Sequence, residues 1–152
     1  MRDTIVLGAV AGTIGAVVML AVNLILFVGG LAAFSQLHQA ARAVLPPGSP
    51  LGTTPALALG LVVTLMLAII LGLLAVYIVN KTGRDYAWFK GLLYGIAVWV
   101  VVYGLLSPLF VPVQILRPDL LTSVSFLASH LAYGLVTFLV AAQYRPLPRE
   151  LV

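Results

Sequence analysis

Four long apolar stretches fill most of this 152-residue chain, and the short segments between them carry the charges. Apart from Lys90, near the start of the third stretch, no acidic or basic residue lies inside any of them. At a helical rise of about 1.5 Å per residue, each stretch can cross the ~30 Å hydrocarbon layer of a membrane. The stretches are Thr4–Ala33, Pro55–Val79, Phe89–Phe110 and Ser123–Ala142. The pattern predicts an all-α integral membrane protein, a four-helix bundle that forms one transmembrane domain over residues 1–152.

The composition excludes a soluble globular domain. Hydrophobic residues make up 62% of the chain, charged residues only 8%, and the mean hydropathy is +1.18. The net charge of +4 comes from basic residues that flank the apolar stretches, so we interpret it as a topology signal and expect contacts with membrane lipids, not nucleic acid. The chain has no cysteine, which excludes disulfides, thiolate metal sites and cysteine nucleophiles.

The first stretch must be distinguished from a cleavable signal peptide. Arg2 precedes it, and Gly30-Leu31-Ala32 resembles a small-residue cleavage site. However, the apolar run is about twice as long as the 7–15-residue core of such a peptide, and Asp3 offsets the charge of Arg2. We therefore expect a retained helix that continues past Ala33 and projects from the bilayer as far as the turn at Pro46-Pro47.

The distribution of basic residues predicts the orientation. With four spans, both termini lie on the same side of the membrane as the loop between spans two and three. That side holds six basic residues: Arg2, Lys81, Arg84, Lys90, Arg145 and Arg149. The other side holds only Arg42 and Arg117. Because cytoplasmic loops are enriched in Lys and Arg, we expect antiparallel neighbouring spans with both termini in the cytoplasm.

Glycine pairs four residues apart mark expected helix contacts. Gly8 and Gly12 form one such pair and Gly91 and Gly95 another, and small residues at this spacing let helix backbones approach closely in lipid. The contacts could lie within one bundle, or could form the seam of a homo-oligomer or larger membrane complex. Both pairs follow an Arg-Asp dipeptide, which would also fit duplication of a two-helix hairpin.

A few polar side chains lie within the apolar stretches, several of them in the expected outer half. Buried polar groups in lipid are functional candidates because leaving them unpaired is costly. We predict that His130 is buried among the helices near Asn23 or Ser107, in a polar pocket open to the outside. The predicted pocket residues are Asn23, Thr64, Tyr103, Ser107, Ser129 and His130. The simpler alternative is that His130 only hydrogen-bonds a neighbouring helix and holds the bundle in register.

No catalytic motif is present. The sequence contains no Walker loop, no His-Glu-x-x-His pair and no Gly-x-Ser-x-Gly elbow, and no carboxylate lies within a stretch. A haem or metal held by His38 and His130 can be imagined, but two ligands alone rarely make a closed metal site. We therefore expect no enzyme activity, no cofactor and no metal.

Aromatic residues, glycines and prolines form a pattern that extends from Trp88 to Tyr144. It comprises Trp88-Phe89-Lys90-Gly91-Leu92-Leu93-Tyr94-Gly95, then Trp99, Leu105-Leu106-Ser107-Pro108-Leu109-Phe110, Ser123-Val124-Ser125 and Leu131-Ala132-Tyr133-Gly134-Leu135. This pattern resembles the YqhR-type conserved membrane proteins of spore-forming bacteria and, more loosely, the YagU-like inner-membrane proteins. The resemblance implies a four-span protein of the bacterial cytoplasmic membrane and supplies no catalytic residues.

Two functions remain open from the sequence. The first is a non-enzymatic accessory or structural component of the bacterial cytoplasmic membrane. The alternative is a small transporter or ligand-binding membrane protein that uses the pocket around His130.

Overall fold

The computed structural model describes residues 3–106 and 118–143. Within these residues the chain forms five α-helices and one π-helical segment, and no strand. The elements are α1 (Thr4–Val28), α2 (Gln36–Arg42), α3 (Thr54–Thr82), α4 (Ala87–Trp99), the π-helix (Val100–Leu106) and α5 (Leu120–Gln143). Four helices are long and apolar enough to cross a membrane, namely α1, α3, α4 with the π-helix, and α5. These are the four spans that the apolar stretches predict.

Helix α1 begins at a strong N-cap and ends earlier than expected. The Asp3 carboxylate accepts hydrogen bonds from the backbone N–H groups of Ile5, at 2.8 Å, and Val6, at 3.2 Å. The helix ends at Val28, so the expectation of a continuous helix past Ala33 is wrong. The chain turns at Gly30, where φ is +77°, a conformation that glycine adopts without steric cost.

Helix α2 folds back into the bundle instead of extending away from it. The side-chain oxygen of Asn23 in α1 accepts a hydrogen bond from the backbone N–H of Gln36, at 2.7 Å, which fixes the start of α2. Helix α2 then packs on α3, where Gly60 leaves room for the carbonyl group of Leu37. The short helix therefore fills one end of the bundle between longer helices.

Glycines bring two helix pairs into backbone contact. Gly12 lies against Ala68 and Gly72 of α3, and Gly8 lies against Leu73. Residues closer to the end of α1 thus contact residues closer to the start of α3. In the second pair, Gly91 and Gly95 lie against Gly134 and His130 of α5. In both helix pairs, the Gly-x-x-x-Gly residues of the first helix pack against a glycine of the second helix, Gly72 in α3 and Gly134 in α5.

The third span changes geometry before it ends. Regular α-helix stops at Trp99, and Val100–Leu106 is π-helical, with a wider turn that is rare and often found at functional sites. The predicted span continues to Phe110, but residues 107–117, which include Ser107 and Pro108, lie outside the described residues. The other predicted boundaries differ little: α3 extends to Thr82, and α5 begins at Leu120.

Candidate ligand-binding site

A cavity of about 210 Å³ lies between α3 and the third span, with α2 across one end. Its walls are almost entirely apolar, and five helical elements and the π-helix contribute to them. The lining residues are Met19, Gln36, Gln39, Ala40, Ala43, Val63, Thr64, Leu67, Ala68, Leu71, Val98, Val102, Tyr103, Leu106, His130 and Tyr133. No acidic or basic side chain other than the imidazole of His130 is among these described residues.

Two tyrosines tie neighbouring helices to α3 at Ala68 and Leu71, which line the cavity. The Tyr133 hydroxyl donates to the carbonyl oxygen of Ala68, at 2.8 Å, and the Tyr94 hydroxyl donates to that of Leu71, at 2.6 Å. These bonds tie α5 and α4 to α3 at the level where the helices separate. The cavity wall is therefore firmly held at Ala68 and Leu71, and the cavity lies toward the α2 end.

Gln36, His130 and Tyr103 form a polar cluster on the cavity wall. The Gln36 amide nitrogen lies 3.3 Å from each ring nitrogen of His130 and 3.5 Å from the Tyr103 hydroxyl oxygen. The rings of Tyr103 and His130 meet edge to face, with centroids 5.4 Å apart. Three separate elements, α2, the π-helix and α5, thus bring their polar side chains to one place.

The hydrogen bonds of His130 define its tautomer. Nδ1 lies 2.8 Å from the carbonyl oxygen of Phe126, which can only accept, so Nδ1 carries a proton and donates. Nε2 of the neutral ring then holds the lone pair and accepts from the Gln36 amide nitrogen. This arrangement turns the Gln36 amide nitrogen toward His130 and leaves its oxygen for another partner.

That oxygen has no hydrogen-bond partner within the described residues, although it is buried. The Gln36 side chain is only 5% exposed, and the side-chain nitrogen of Asn23 is likewise buried and unpaired. Buried polar atoms are normally satisfied, since an unmade hydrogen bond costs about 1–3 kcal/mol. The polar cluster therefore retains an unfilled acceptor on Gln36, and Asn23 behind it retains an unfilled donor.

The structure brings some of the predicted pocket residues together and not others. Thr64, Tyr103 and His130 all line the cavity. Asn23 does not line the cavity, but its side-chain oxygen accepts a hydrogen bond from the backbone N–H of Gln36, which does. Ser129 lies elsewhere, because its hydroxyl donates to the Ser125 carbonyl oxygen of its own helix. Ser107 falls outside the described residues.

His130 is buried, with 4% of its surface exposed, as predicted, but its main partner is different. Sequence reasoning missed Gln36, because the segment around it was expected to project from the bilayer. The signal that could have found it is Gly29-Gly30, a flexible pair followed by Ser35, which is a favourable residue at a helix start.

The other histidine has a local structural role. Nδ1 of His38 accepts from Ser35, at 2.7 Å from its hydroxyl and 3.3 Å from its backbone nitrogen, so the pair caps α2. Partial burial and, secondarily, the positive charge of Arg42 hold the pKa of His38 below its usual value. In the described part of the chain, no group of three or more His, Cys, Asp or Glu side chains could hold a metal ion.

A family model covers nearly the whole chain, matching residues 2–152. The chain belongs to the DUF6789 family. This is a family of unknown function. Resemblance of this DUF6789 member to the YqhR-type and YagU-like proteins stays a prediction. No curated protein and no solved structure matches the chain.

Proposed function

We propose that this DUF6789 member is a non-enzymatic, multi-pass protein of the bacterial cytoplasmic membrane that binds a lipid-soluble ligand in the cavity. The observation that carries the proposal is the unpartnered, buried amide oxygen of Gln36 beside a largely apolar cavity. Concave apolar sites with a few convergent polar groups are the usual form of small-molecule sites. The family description and the four apolar helices are compatible with this function.

A purely structural or accessory role is the alternative. The glycine contacts suit a rigid scaffold that joins a larger membrane complex or a homo-oligomer. A scaffold, however, gains nothing from a cavity, because empty space forfeits packing contacts and destabilises the fold. The space and the unpaired amide oxygen therefore favour binding over structure alone. Transport would use the same site and would require an exit to both sides.

The orientation is part of the proposal. Six basic residues against two favour the side of the Asn80–Trp88 loop as cytoplasmic. The order of contacts between Gly8 and Leu73 and between Gly12 and Ala68 supports antiparallel neighbouring spans. On this orientation, α2 and the cavity lie in the outer half of the bundle.

The test is to fill the cavity with a side chain. Val63 lines the cavity, whereas Val62, its neighbour on α3, is 57% exposed on the outside of the bundle. We expect the wild-type protein and Val62→Phe, purified in mild detergent, to carry a compound enriched over bulk lipid, and Val63→Phe to lack it. Mass spectrometry of the extracts measures this. Identical extracts from all three proteins would contradict ligand binding and leave the accessory role.

A further inference from the structure

We infer that the cavity takes an uncharged, single-chain amphiphile with a hydroxyl headgroup, which binds with the headgroup at Gln36 and the chain directed between α3 and the π-helix. This inference rests on the proposed function and names the ligand class of the same site. It is carried by three features of the cavity: its lack of charge, the hydrogen-bonding atoms of its polar cluster and the position of its opening.

The lining excludes a charged headgroup. None of the described lining residues is Asp, Glu, Lys or Arg, and the one imidazole is already engaged with Phe126 and Gln36. An ion moved from water into such surroundings without a counter-ion loses several kcal/mol of solvation. A carboxylate, a phosphate or an ammonium group would therefore find no partner to replace its water.

The polar cluster selects a headgroup that both donates and accepts. The unpartnered Gln36 oxygen can only accept, so it requires a donor from the ligand. The Tyr103 hydroxyl borders the same cavity, and the described residues offer its proton no acceptor, so it can donate to the ligand. A hydroxyl group meets both requirements with one atom, whereas an ester, ketone or ether would only accept and would leave the Gln36 oxygen unpaired.

The opening of the cavity lies on the lipid-facing side of the bundle. Leu67 on α3 and Leu106 on the π-helix both line the cavity and are 41% and 37% exposed. Helix α1 packs closely on both α3 and α5, and α4 packs mainly on α5, whereas the backbones of α3 and α4 make almost no close contact. The seam between α3 and the third span is therefore the least tightly closed. A cavity of about 210 Å³ is smaller than the ~300–1,000 Å³ of sites that enclose a drug-sized ligand. It has room for a headgroup and the first carbons, and the remaining chain extends through the seam into the bilayer.

The experiment compares headgroups on one chain length. The full-length protein in phosphatidylcholine nanodiscs is labelled with a hexadecanol that carries a photoreactive diazirine midway along its chain. Unlabelled hexadecanol, hexadecane, palmitate and hexadecyltrimethylammonium compete, and mass spectrometry maps the labelled residues. We expect labelling near Leu67 and Leu106, with hexadecanol competing about tenfold better than hexadecane, as about one net hydrogen bond would give. The charged palmitate and hexadecyltrimethylammonium should compete less well still, because of the cost of removing their charge from water.

Two variants locate the headgroup. Gln36→Leu should remove the tenfold advantage of hexadecanol while the protein remains monodisperse and unfolds cooperatively. Ser129→Ala, which changes a buried hydroxyl outside the cavity, should keep it. Retention of the full advantage in Gln36→Leu would overturn the assignment of the headgroup to the polar cluster.

The outcomes separate this inference from the proposed function. If palmitate or hexadecane competes as well as hexadecanol, and Val63→Phe still abolishes labelling, then the cavity binds ligands but the hydroxyl assignment is wrong. If no competitor reduces labelling and Val63→Phe does not change it, both the ligand class and the binding function fail.

Discussion

The two ends of the bundle differ in how closely their long helices pack. At the end that contains Gly8, Gly12, Gly72 and Gly91, which we call the glycine end, helix backbones lie directly against one another. At the other end, which contains α2 and the polar cluster and which we call the polar end, a seven-residue helix and a cavity separate the long helices. Close packing and open space thus occur within the same four spans.

The difference shows how a membrane bundle can hold a cavity. Lipid chains are as apolar as leucine, so no hydrophobic force drives helices together, and close van der Waals contact must do so. Glycines supply that contact at the glycine end. The polar end can then retain a cavity and unpaired polar atoms, because the helices are already held elsewhere.

The largest expected effect concerns which side of the membrane each end faces. The chain has no native cysteine, so single cysteines report accessibility without background. We expect Ser49→Cys, at the polar end, to react with an impermeant maleimide in whole cells, and Thr82→Cys, at the glycine end, to react only after lysis. The basic residues beside the glycine end are the reason. The reverse labelling pattern would invert the proposed orientation.

The next effect tests the close packing of the glycine end. A methyl group on Gly12 would collide with the carbonyl oxygen of Ala68, which is backbone and cannot rotate aside. We expect Gly12→Ala to lose about 3 kcal/mol of stability in a detergent unfolding titration, at the upper end of overpacking costs. Gly104→Ala is the matched control, because the nearest atom to an added methyl there is a side-chain carbon at 3.8 Å. Equal stability of the two variants would show that the glycine end is not tightly packed.

A smaller effect is expected from the bond that holds α2 at the polar end. Asn23→Ala removes the acceptor of the Gln36 backbone N–H and leaves that buried donor unpaired. The expected loss is about 1–2 kcal/mol, with faster hydrogen exchange confined to α2. Thr64→Ala serves as the control, since the Thr64 hydroxyl donates to the Gly60 carbonyl oxygen of its own helix. Unchanged exchange in the Asn23 variant would mean that α2 is held by packing alone.

The smallest effect is the pH dependence of α2. The pKa of His38 is below its usual value of 6.5, because of partial burial and the charge of Arg42, so the unfolded chain binds the proton more readily. The stability that neutral His38 contributes is therefore present above pH ~6.5 and decreases as the pH falls through that value. A glutamine at this position can still cap the helix without titrating. We expect the protection factors of the α2 amides, which remove the intrinsic pH dependence of exchange, to decrease between pH 7.5 and 5.5 in the wild type but not in His38→Gln. An equal decrease in both proteins would show that His38 is not the cause.

Much of the fold could be predicted from the sequence. An uncharged apolar run has few alternatives to a membrane helix, so all four spans were found, and the spacing of Gly91 and Gly95 indicated which face would meet another helix. The path after Val28 could not be predicted. Whether a helix continues or turns there depends on a hydrogen bond between Asn23 and Gln36, and such a bond is a property of the tertiary structure.

The same limit explains the partial prediction of the site. His130 and Tyr103 were identified because polar side chains stand out in an apolar span. Gln36 was not, because its segment carries ordinary polar residues and its importance comes only from being folded inward. The π-helical turn that carries Tyr103 has no recognisable pattern in the residues Val100–Leu106.

The location of the glycine contacts also has a consequence for biosynthesis. Each backbone-to-backbone glycine contact between spans joins two helices that are neighbours along the chain, α1 with α3 and α4 with α5, whereas Gly15 of α1 meets side chains of α5. Such hairpins can assemble as soon as their second helix enters the membrane, because few residues separate the partners. The cavity, in contrast, takes α3 from the first hairpin and the π-helix and α5 from the second. The binding site thus comes into existence only at the last step of assembly, so that a half-synthesised chain would be a folded hairpin with no pocket.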